Sequence, residues 1–133
     1  MRYLLDTNIC IYLMQHSPPQ LQARFKKLRV GDAVMSAITY AELRFGLQAN
    51  PSTAAHNHAV LESLVDDLPV MPFAAAEAES YGNLATQSRQ SRKNALDRLI
   101  AAHAVSLGAV LVTNNVADFR NYQGLNIENW VES

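Results

Sequence analysis

The sequence has little of the chemistry that marks a secreted or membrane-bound protein. Cys10 is the one cysteine among 133 residues, so no disulfide can form within the chain, which fits a reducing compartment. The apolar runs are all shorter than the roughly 20 residues that span a bilayer. The charged start "MRYLLDTN" does not resemble a secretion signal. We therefore expect a cytoplasmic protein without membrane contact.

Several motifs of common enzyme classes are also missing. The four histidines and the cysteine do not have the spacing of zinc ligands. The sequence contains neither a glycine-rich phosphate loop nor a G-x-S-x-G nucleophile motif. The formal net charge of −1 does not by itself indicate a nucleic-acid-binding protein. The length suits one domain, which we predict to cover residues 1–133.

What the sequence does contain is an alternation of short apolar runs and longer helical patterns. The runs "RYLL", "AVMSAI", "PVMPF", "AVLVT" and "LNIENW" predict strands, and "ALDRLIAAHAVSLG" gives the strongest helical pattern. Pro72 interrupts the third run, which places that strand near an edge of the sheet. This order of elements predicts an α/β fold with a mostly parallel sheet, in which ligands bind beyond the carboxyl ends of the strands.

Acidic side chains follow or flank these predicted strands. Asp6 comes directly after the first strand, and Glu42 lies one turn into a helix predicted to begin at Thr39, after the second strand. Asp97 lies one turn into the helix that leads to the fourth strand. That strand is followed by Asn114, Asn115 and Asp118. We therefore expect three or four carboxyl groups to converge on one edge of the sheet.

Each acid taken alone also has an ordinary structural explanation. Asp6 can cap a helix, Thr39-x-x-Glu42 matches a capping box, and Asp118 suits the first turn of a helix. Capping does not require that acids recur beyond successive strands, however, so the pattern favours a shared site. Clustered carboxylates need a cation, and oxygen ligands suit Mg²⁺ or Mn²⁺. Such ions activate water for phosphodiester cleavage.

Basic side chains gather in two segments, one with Arg24, Lys26, Lys27 and Arg29, the other with Arg89, Arg92, Lys93 and Arg98. Charge runs of this kind are ordinarily solvated helix faces. Because Arg98 adjoins Asp97, the second segment is predicted to hold an RNA backbone beside the acids.

Four segments carry a resemblance to a known family. In the order of the chain, "LLDTNICIYLM", "SAITYAELRFGL", "DRLIAAHAVSLGAVLVTNN" and "GLNIENW" resemble the PIN-domain ribonucleases and, within them, the VapC toxins of toxin–antitoxin modules. The resemblance implies a three-layer α/β/α fold and a Mg²⁺-dependent endoribonuclease that cleaves structured RNA such as tRNA, with Mn²⁺ as a substitute ion. It also implies a VapB-like antitoxin that inhibits the enzyme, a homodimer, and a larger complex in which the antitoxin binds operator DNA.

The resemblance also implies roles for particular acids. The first, second and third acids of the family fall on Asp6, Glu42 and Asp97, and the positions that usually hold Mg²⁺ match Asp6 and Asp97. Many relatives have a glycine and an asparagine just before the third acid, whereas this chain has "RKNAL". From the matched positions, the resemblance implies a metal site held by Asp6 and Asp97, with Glu42 beside it.

The polar residues around the acids are implied in the same way. Thr7, Asn8 and Thr113 match polar positions of the family that we expect to contact substrate. Many PIN domains have a fourth acid two residues after the threonine, where this chain has Asn115, and Asp118 is the nearest carboxylate. Either residue can take that role, and the number of ions, one or two, depends on it.

Two other functions deserve comparison. A phosphoacceptor receiver domain would need two adjacent acids after the first strand and a lysine after the last strand, but the first strand ends in one acid and no lysine follows Lys93. A catalytically inactive PIN domain that only binds partners is the second alternative. The presence of all three family acids argues against it.

Two helices carry more apolar residues than one buried stripe requires. They are the first helix, with Ile9, Ile11, Tyr12, Leu13 and Met14, and the helix from Thr39, with Tyr40, Leu43, Phe45 and Leu47. Either both helices are buried between neighbours, or they form a groove for an amphipathic antitoxin helix. In the second case, the antitoxin is also predicted to place an arginine among the acids.

Overall fold

Five short parallel strands form the central layer of the protein. A computed structural model describes residues 2–88 and 94–132, without the side chains of residues 85–88. The strands are β1 (Tyr3–Leu5), β2 (Ala33–Ser36), β3 (Val70–Met71), β4 (Val110–Val112) and β5 (Ile127–Glu128). Their order in the sheet is β3-β2-β1-β4-β5, and every neighbouring pair is parallel. The interrupted run "PVMPF" therefore forms an edge strand, as the sequence predicted.

Helices connect the strands. They are α1 (Thr7–Met14), α2 (Pro19–Lys26), α3 (Ala37–Gln48), α4 (Ala54–Asp67), α5 (Ala75–Ser88), α6 (Ala95–Leu107) and α7 (Val116–Phe119). In residues 2–88 and 94–132, every helix is too short or too polar to cross a bilayer.

The side chains of the central strands alternate between two hydrophobic cores. Leu4 of β1, beside Val34 and Leu111, faces a core that includes buried residues of α6. Leu5 points the opposite way, into a core built with α1 to α4. This alternation is the ordinary period of a strand buried on both faces. The predicted three-layer α/β/α fold with a parallel sheet is confirmed.

The start of α3 differs from the sequence prediction. The helix begins at Ala37 because the Ser36 hydroxyl oxygen accepts a hydrogen bond from the backbone N–H of Ile38, at 3.0 Å. Thr39 therefore lies within the first turn, and the interpretation of Thr39-x-x-Glu42 as a capping box is wrong. Glu42 lies six residues after the cap, on the second turn of the helix.

The strand order creates one natural ligand site. From β1 the chain builds outward through β2 and β3, and then crosses to β4 and β5 on the other side of β1. In open parallel sheets a crevice opens at such a reversal, beyond the carboxyl ends of the two central strands. Asp6 follows β1 directly and Thr113 follows β4 directly. The fold therefore places these two residues at the crevice.

Candidate active site

A small polar cavity lies at this edge of the sheet. Its volume is about 120 Å³, and it is lined by Asp6, Thr7, Asn8, Glu42, Asp97, Ile100, Asn115 and Phe119. The three acids come from the start of α1, the second turn of α3 and the first turn of α6. The structure thus brings together the acids that the sequence placed beyond successive strands. Their catalytic and metal-binding roles stay predictions.

Asp6 is the most enclosed of the acids, with 5% of its surface exposed. One carboxylate oxygen accepts a hydrogen bond from the backbone N–H of Ile9 at 3.0 Å and so caps α1. Burial raises the pKa of Asp6 above its ordinary value, and the nearby charges of Asp97 and Glu42 raise it further. Hydrogen bonds from Thr113 and Ile9 act in the opposite direction. Asp6 is therefore both a helix cap and a member of the acidic cluster.

Asp97 is half-buried and lines the same cavity. Its pKa is raised first by burial and then by the negative charges of Asp118 and Glu42. Because Asp97 and Asp6 each experience the charge of Glu42, the three carboxylates act on one another electrostatically. A cation between them would relieve this repulsion.

Thr7 holds Glu42 in place. The Thr7 hydroxyl donates to Glu42 Oε1 at 2.7 Å, and its oxygen lies 3.1 Å from the hydroxyl oxygen of Thr39. A hydroxyl has one proton, so Thr39 is the donor in the second contact. The sequence predicted that Thr7 contacts substrate. Its only proton is engaged with Glu42, so Thr7 orients that acid. Thr7 also lines the cavity, and its predicted contact with substrate stays a prediction.

Thr113 contacts Asp6 in the way that Thr7 contacts Glu42. It is fully buried, forms a hydrogen bond with Asp6 and accepts the backbone N–H of Asn115 at 2.9 Å. This burial assigns Thr113 a role in positioning Asp6, and its predicted contact with substrate stays a prediction. Asn8, in contrast, is exposed at the rim of the cavity, and its predicted contact with substrate stays a prediction.

Asn115 and Asp118, the two candidates for the fourth acidic position, are joined to each other. The Asn115 amide donates to a carboxylate oxygen of Asp118 at 2.6 Å. Asn115 lines the cavity, whereas Asp118 is exposed beside it and acts on Asp97 through its charge. The position of the family's fourth acid thus places an amide in the cavity, with a carboxylate behind the amide.

Arg98 is buried beside Tyr122. Only 5% of its surface is exposed, and it forms a hydrogen bond with Tyr122, which is itself 9% exposed. Its predicted contact with an RNA backbone stays a prediction. Arg89, Arg92 and Lys93 lie outside the described residues, and the prediction for them stays as it was made.

Two apolar residues of the cavity were missed by sequence reasoning. Ile100 follows Asp97 by three residues, a spacing that places two side chains on the same face of a helix. That spacing was a usable signal. Phe119 comes from the short helix α7, and no pattern in the sequence placed its ring beside the acids.

The donor chemistry of the cavity fits Mg²⁺ or Mn²⁺. Among residues 2–88 and 94–132, no three histidine, cysteine, aspartate or glutamate side chains lie close enough together to enclose a metal ion by themselves. Mg²⁺ does not need such an enclosure, since it is ordinarily held by one or two carboxylates with water and substrate phosphate completing the shell. The cavity offers carboxylates whose mutual repulsion already raises two pKa values. The residues present therefore fit such an ion.

A larger cavity lies elsewhere on the molecule. Its volume is about 560 Å³, and it lies between the end of α1, α2 and α4, with a mostly apolar lining that includes Leu13, Met14, Phe25, Leu28, Val60 and Leu64. No residue of α3 lines it. This cavity is therefore distinct from the groove predicted between α1 and α3, which stays a prediction. Tyr12 accepts a hydrogen bond from Asn114 at 3.1 Å, and Phe45 stands 79% exposed on α3.

The raised pKa of Asp6 predicts that this carboxylate destabilises the ion-free protein. In EDTA at pH 7, Asp6→Asn should increase the free energy of unfolding, because the charged form is disfavoured in the folded state and asparagine is an equally good helix cap. The gain should be complete above the raised pKa and should vanish below the ordinary value of 3.8. Urea unfolding at several pH values measures it.

Glu77 provides a control of opposite sign. Its pKa is lowered, first by the backbone N–H of Ala74 at 2.8 Å and then by the Ser106 hydroxyl at 2.7 Å. Glu77→Gln should therefore reduce the free energy of unfolding at pH 7, and the loss should disappear as the pH falls through the lowered pKa. Effects of equal sign for the two substitutions would contradict this electrostatic description.

Comparisons with known proteins agree with the fold. Residues 3–125 match the PIN domain. The tRNA(fMet)-specific endonuclease VapC of Shigella flexneri is 35% identical over 132 residues, which cover 98% of each chain. Ribonuclease VapC1 of Haemophilus influenzae is 38% identical over 135 residues, covering 99% of this chain and 100% of the relative.

Solved structures give the same result. VapBC2 from Rickettsia felis, bound to a DNA fragment from its promoter, aligns with a TM-score of 0.86 at 32% identity, covering 98% of this chain and 99% of that one. DNA-bound VapBC from Salmonella typhimurium aligns with a TM-score of 0.85 at 32% identity, covering 98% of both chains. The chain therefore belongs to the PIN-domain family and, within it, to the VapC ribonucleases.

Proposed function

We propose that this chain is the toxin of a toxin–antitoxin pair, an endoribonuclease that cleaves structured RNA with Mg²⁺, or with Mn²⁺ in its place. The observation that carries the proposal is the acidic cavity beyond β1 and β4, into which three elements bring Asp6, Glu42 and Asp97. Relatives named as VapC ribonucleases at 35% and 38% identity support the reaction class. The name of the Shigella flexneri relative specifies tRNA(fMet), and we propose a tRNA substrate here.

The side chains of the cavity have different proposed roles in phosphodiester cleavage. Asp6 and Asp97 would hold the ion, whose chemistry when bound is to activate water and stabilise the leaving oxygen. Thr7 keeps Oε1 of Glu42 in a hydrogen bond, and Oε2 remains to accept the proton of the attacking water. Asn8 and Asn115, which line the same cavity, offer amide donors to the phosphate oxygens.

The proposed preference for unpaired segments of RNA has a physical basis in the size of the site. A cavity of about 120 Å³ admits a phosphate and its ion but not a base-paired helix. Enzymes with such a site act on unpaired loops, whose backbone can approach the acids, and they recognise the substrate by its shape. A folded RNA with exposed loops meets this requirement.

Conservative substitution of the acids tests the reaction. Asp6→Asn and Asp97→Asn should each reduce cleavage of a tRNA transcript about 100-fold or more at saturating Mg²⁺, with the circular dichroism spectrum unchanged. Asp66→Asn, an exposed acid on α4, is the matched control and should cut at the wild-type rate. A folded Asp6→Asn protein with undiminished cleavage would refute the proposed role. An inactive wild type that still binds its partner would instead be a binding module.

The antitoxin is proposed to occupy the larger cavity. The two DNA-bound VapBC structures support a partner that holds the DNA, and the net charge of −1 agrees with leaving that contact to the partner. The cavity has a mostly apolar lining, and Lys26, Arg29 and Asp67 contribute charges to it. These features fit an amphipathic helix that buries its apolar face. A following segment can carry an arginine to the acids.

A charge placed in the cavity tests the docking surface. Ala59 is an exposed residue of α4 that lines the cavity, so Ala59→Glu should weaken antitoxin binding at least about 10-fold, because it buries an unpaired charge. RNA cleavage by the free toxin should be unchanged. Ala76→Glu makes the same change at an exposed site on α5, outside the cavity, and should bind normally. Equal affinities of the two variants, measured by calorimetry, would place the antitoxin elsewhere.

Self-association and location in the cytoplasm remain expectations from the sequence. Among the side chains that the structure describes, the ring of Phe45 on α3 is the most exposed large apolar one, and it supports contact with a second copy. Closed two-fold dimers are the usual form of such contacts.

A further inference from the structure

A buried histidine joins the two helices that carry Glu42 and Asp97. His103 belongs to α6 and Ser36 caps α3, and both side chains are fully buried. The Nδ1 atom of His103 lies 2.8 Å from the hydroxyl oxygen of Ser36. A hydrogen bond in such surroundings is directional and is costly to break, because each polar atom would be left without water.

This bond lies at equal sequence distance from the two acids. Glu42 comes six residues after Ser36 along α3, and Asp97 comes six residues before His103 along α6. Each separation corresponds to about 9 Å of helix. A helix transmits displacement along its axis with little loss, so a change at the His103–Ser36 bond alters the spacing between Glu42 and Asp97.

Both directions of the bond are chemically available. The Ser36 oxygen accepts the backbone N–H of Ile38, and it can donate its proton to Nδ1 of a neutral His103 or, in the other tautomer, accept from Nδ1–H. Burial lowers the pKa of His103 and favours this neutral form, while the charge of Glu77 acts in the opposite direction with smaller effect. The ring of Phe73 packs edge-on against the imidazole, with 5.5 Å between the ring centres.

Packing alone does not account for a histidine at this position. Its neighbours on α6, Ala101, Ala102 and Ala104, are fully buried and apolar. The Nε2 atom of His103 has no hydrogen-bond partner among the described residues, which is a cost that an apolar side chain would avoid. The bond that the other nitrogen makes with Ser36 is the contact that distinguishes histidine from an apolar residue here.

We propose that His103 and Ser36 are positioning residues that fix α6 against α3 and so set the distance between Asp97 and Glu42 for ion binding. This inference rests on the proposed function, because it concerns the same acidic site. Groups that orient metal-binding side chains without touching the metal commonly change its affinity about 10-fold to 100-fold when they are removed.

Direct Mn²⁺ binding, measured by electron paramagnetic resonance without RNA, tests the inference. His103→Leu and Ser36→Ala remove the bond from either side, and each should bind Mn²⁺ about 10-fold more weakly than the wild type. The double variant should be no weaker than the weaker single variant, because both changes remove one interaction. His103→Asn keeps a polar atom near the place of Nδ1 and should recover most of the affinity.

Ser106→Ala is the matched control. It removes a 2.7 Å hydrogen bond from the same helix, one turn further on, but that bond leads to Glu77 on α5 and not to α3. It should lower thermal stability and leave Mn²⁺ affinity unchanged. If the wild type binds Mn²⁺ and the bond-breaking variants bind as tightly as this control, the inference is overturned while the proposed function stands. If the wild type binds no Mn²⁺, the proposed function fails and the inference falls with it.

Discussion

Repulsion among three carboxylates is the constraint on which the site depends. The acids lie on three different helices, at the start of α1, in α3 and in α6, yet all three line one cavity. They are Asp6, Glu42 and Asp97. Their charges raise the pKa values of Asp6 and Asp97 beyond the effect of burial. Folding therefore works against this arrangement unless other contacts compensate. An arrangement that costs stability without an ion is expected where an ion is part of the function.

The compensation comes from neutral donors around the acids. Thr7 donates to Glu42, while Thr113 and the first turn of α1 hold Asp6. These donors fix the orientation of two acids before an ion or a substrate arrives. Preorganisation of this kind reduces the cost of binding, because the side chains are not ordered at that moment. The parallel sheet supplies the rest, since the carboxyl ends of β1 and β4 bring Asp6 and Thr113 to the same crevice.

The sequence predicted both the fold and the convergence of the acids on one edge of the sheet, for one physical reason. Hydrophobic periodicity reveals strands and helices, and the rule for parallel sheets converts strand ends into a common edge. The same reasoning could not predict contacts between side chains. Arg98 follows Asp97 in the sequence, but helical geometry turns it inward to Tyr122. Thr7 was predicted to face substrate, and its bond to Glu42 depends on the distance between α1 and α3, which no local pattern encodes.

Anomalous diffraction from crystals of this chain soaked in Mn²⁺ would locate an ion held by the acids. We expect a peak in the cavity between the carboxylates of Asp6 and Asp97, with Glu42 beside it. The remaining ligands should be water, as expected for an ion held by one or two carboxylates. An empty cavity at an Mn²⁺ concentration that supports RNA cleavage, or an ion bound only elsewhere on the protein, would refute an ion site between these acids.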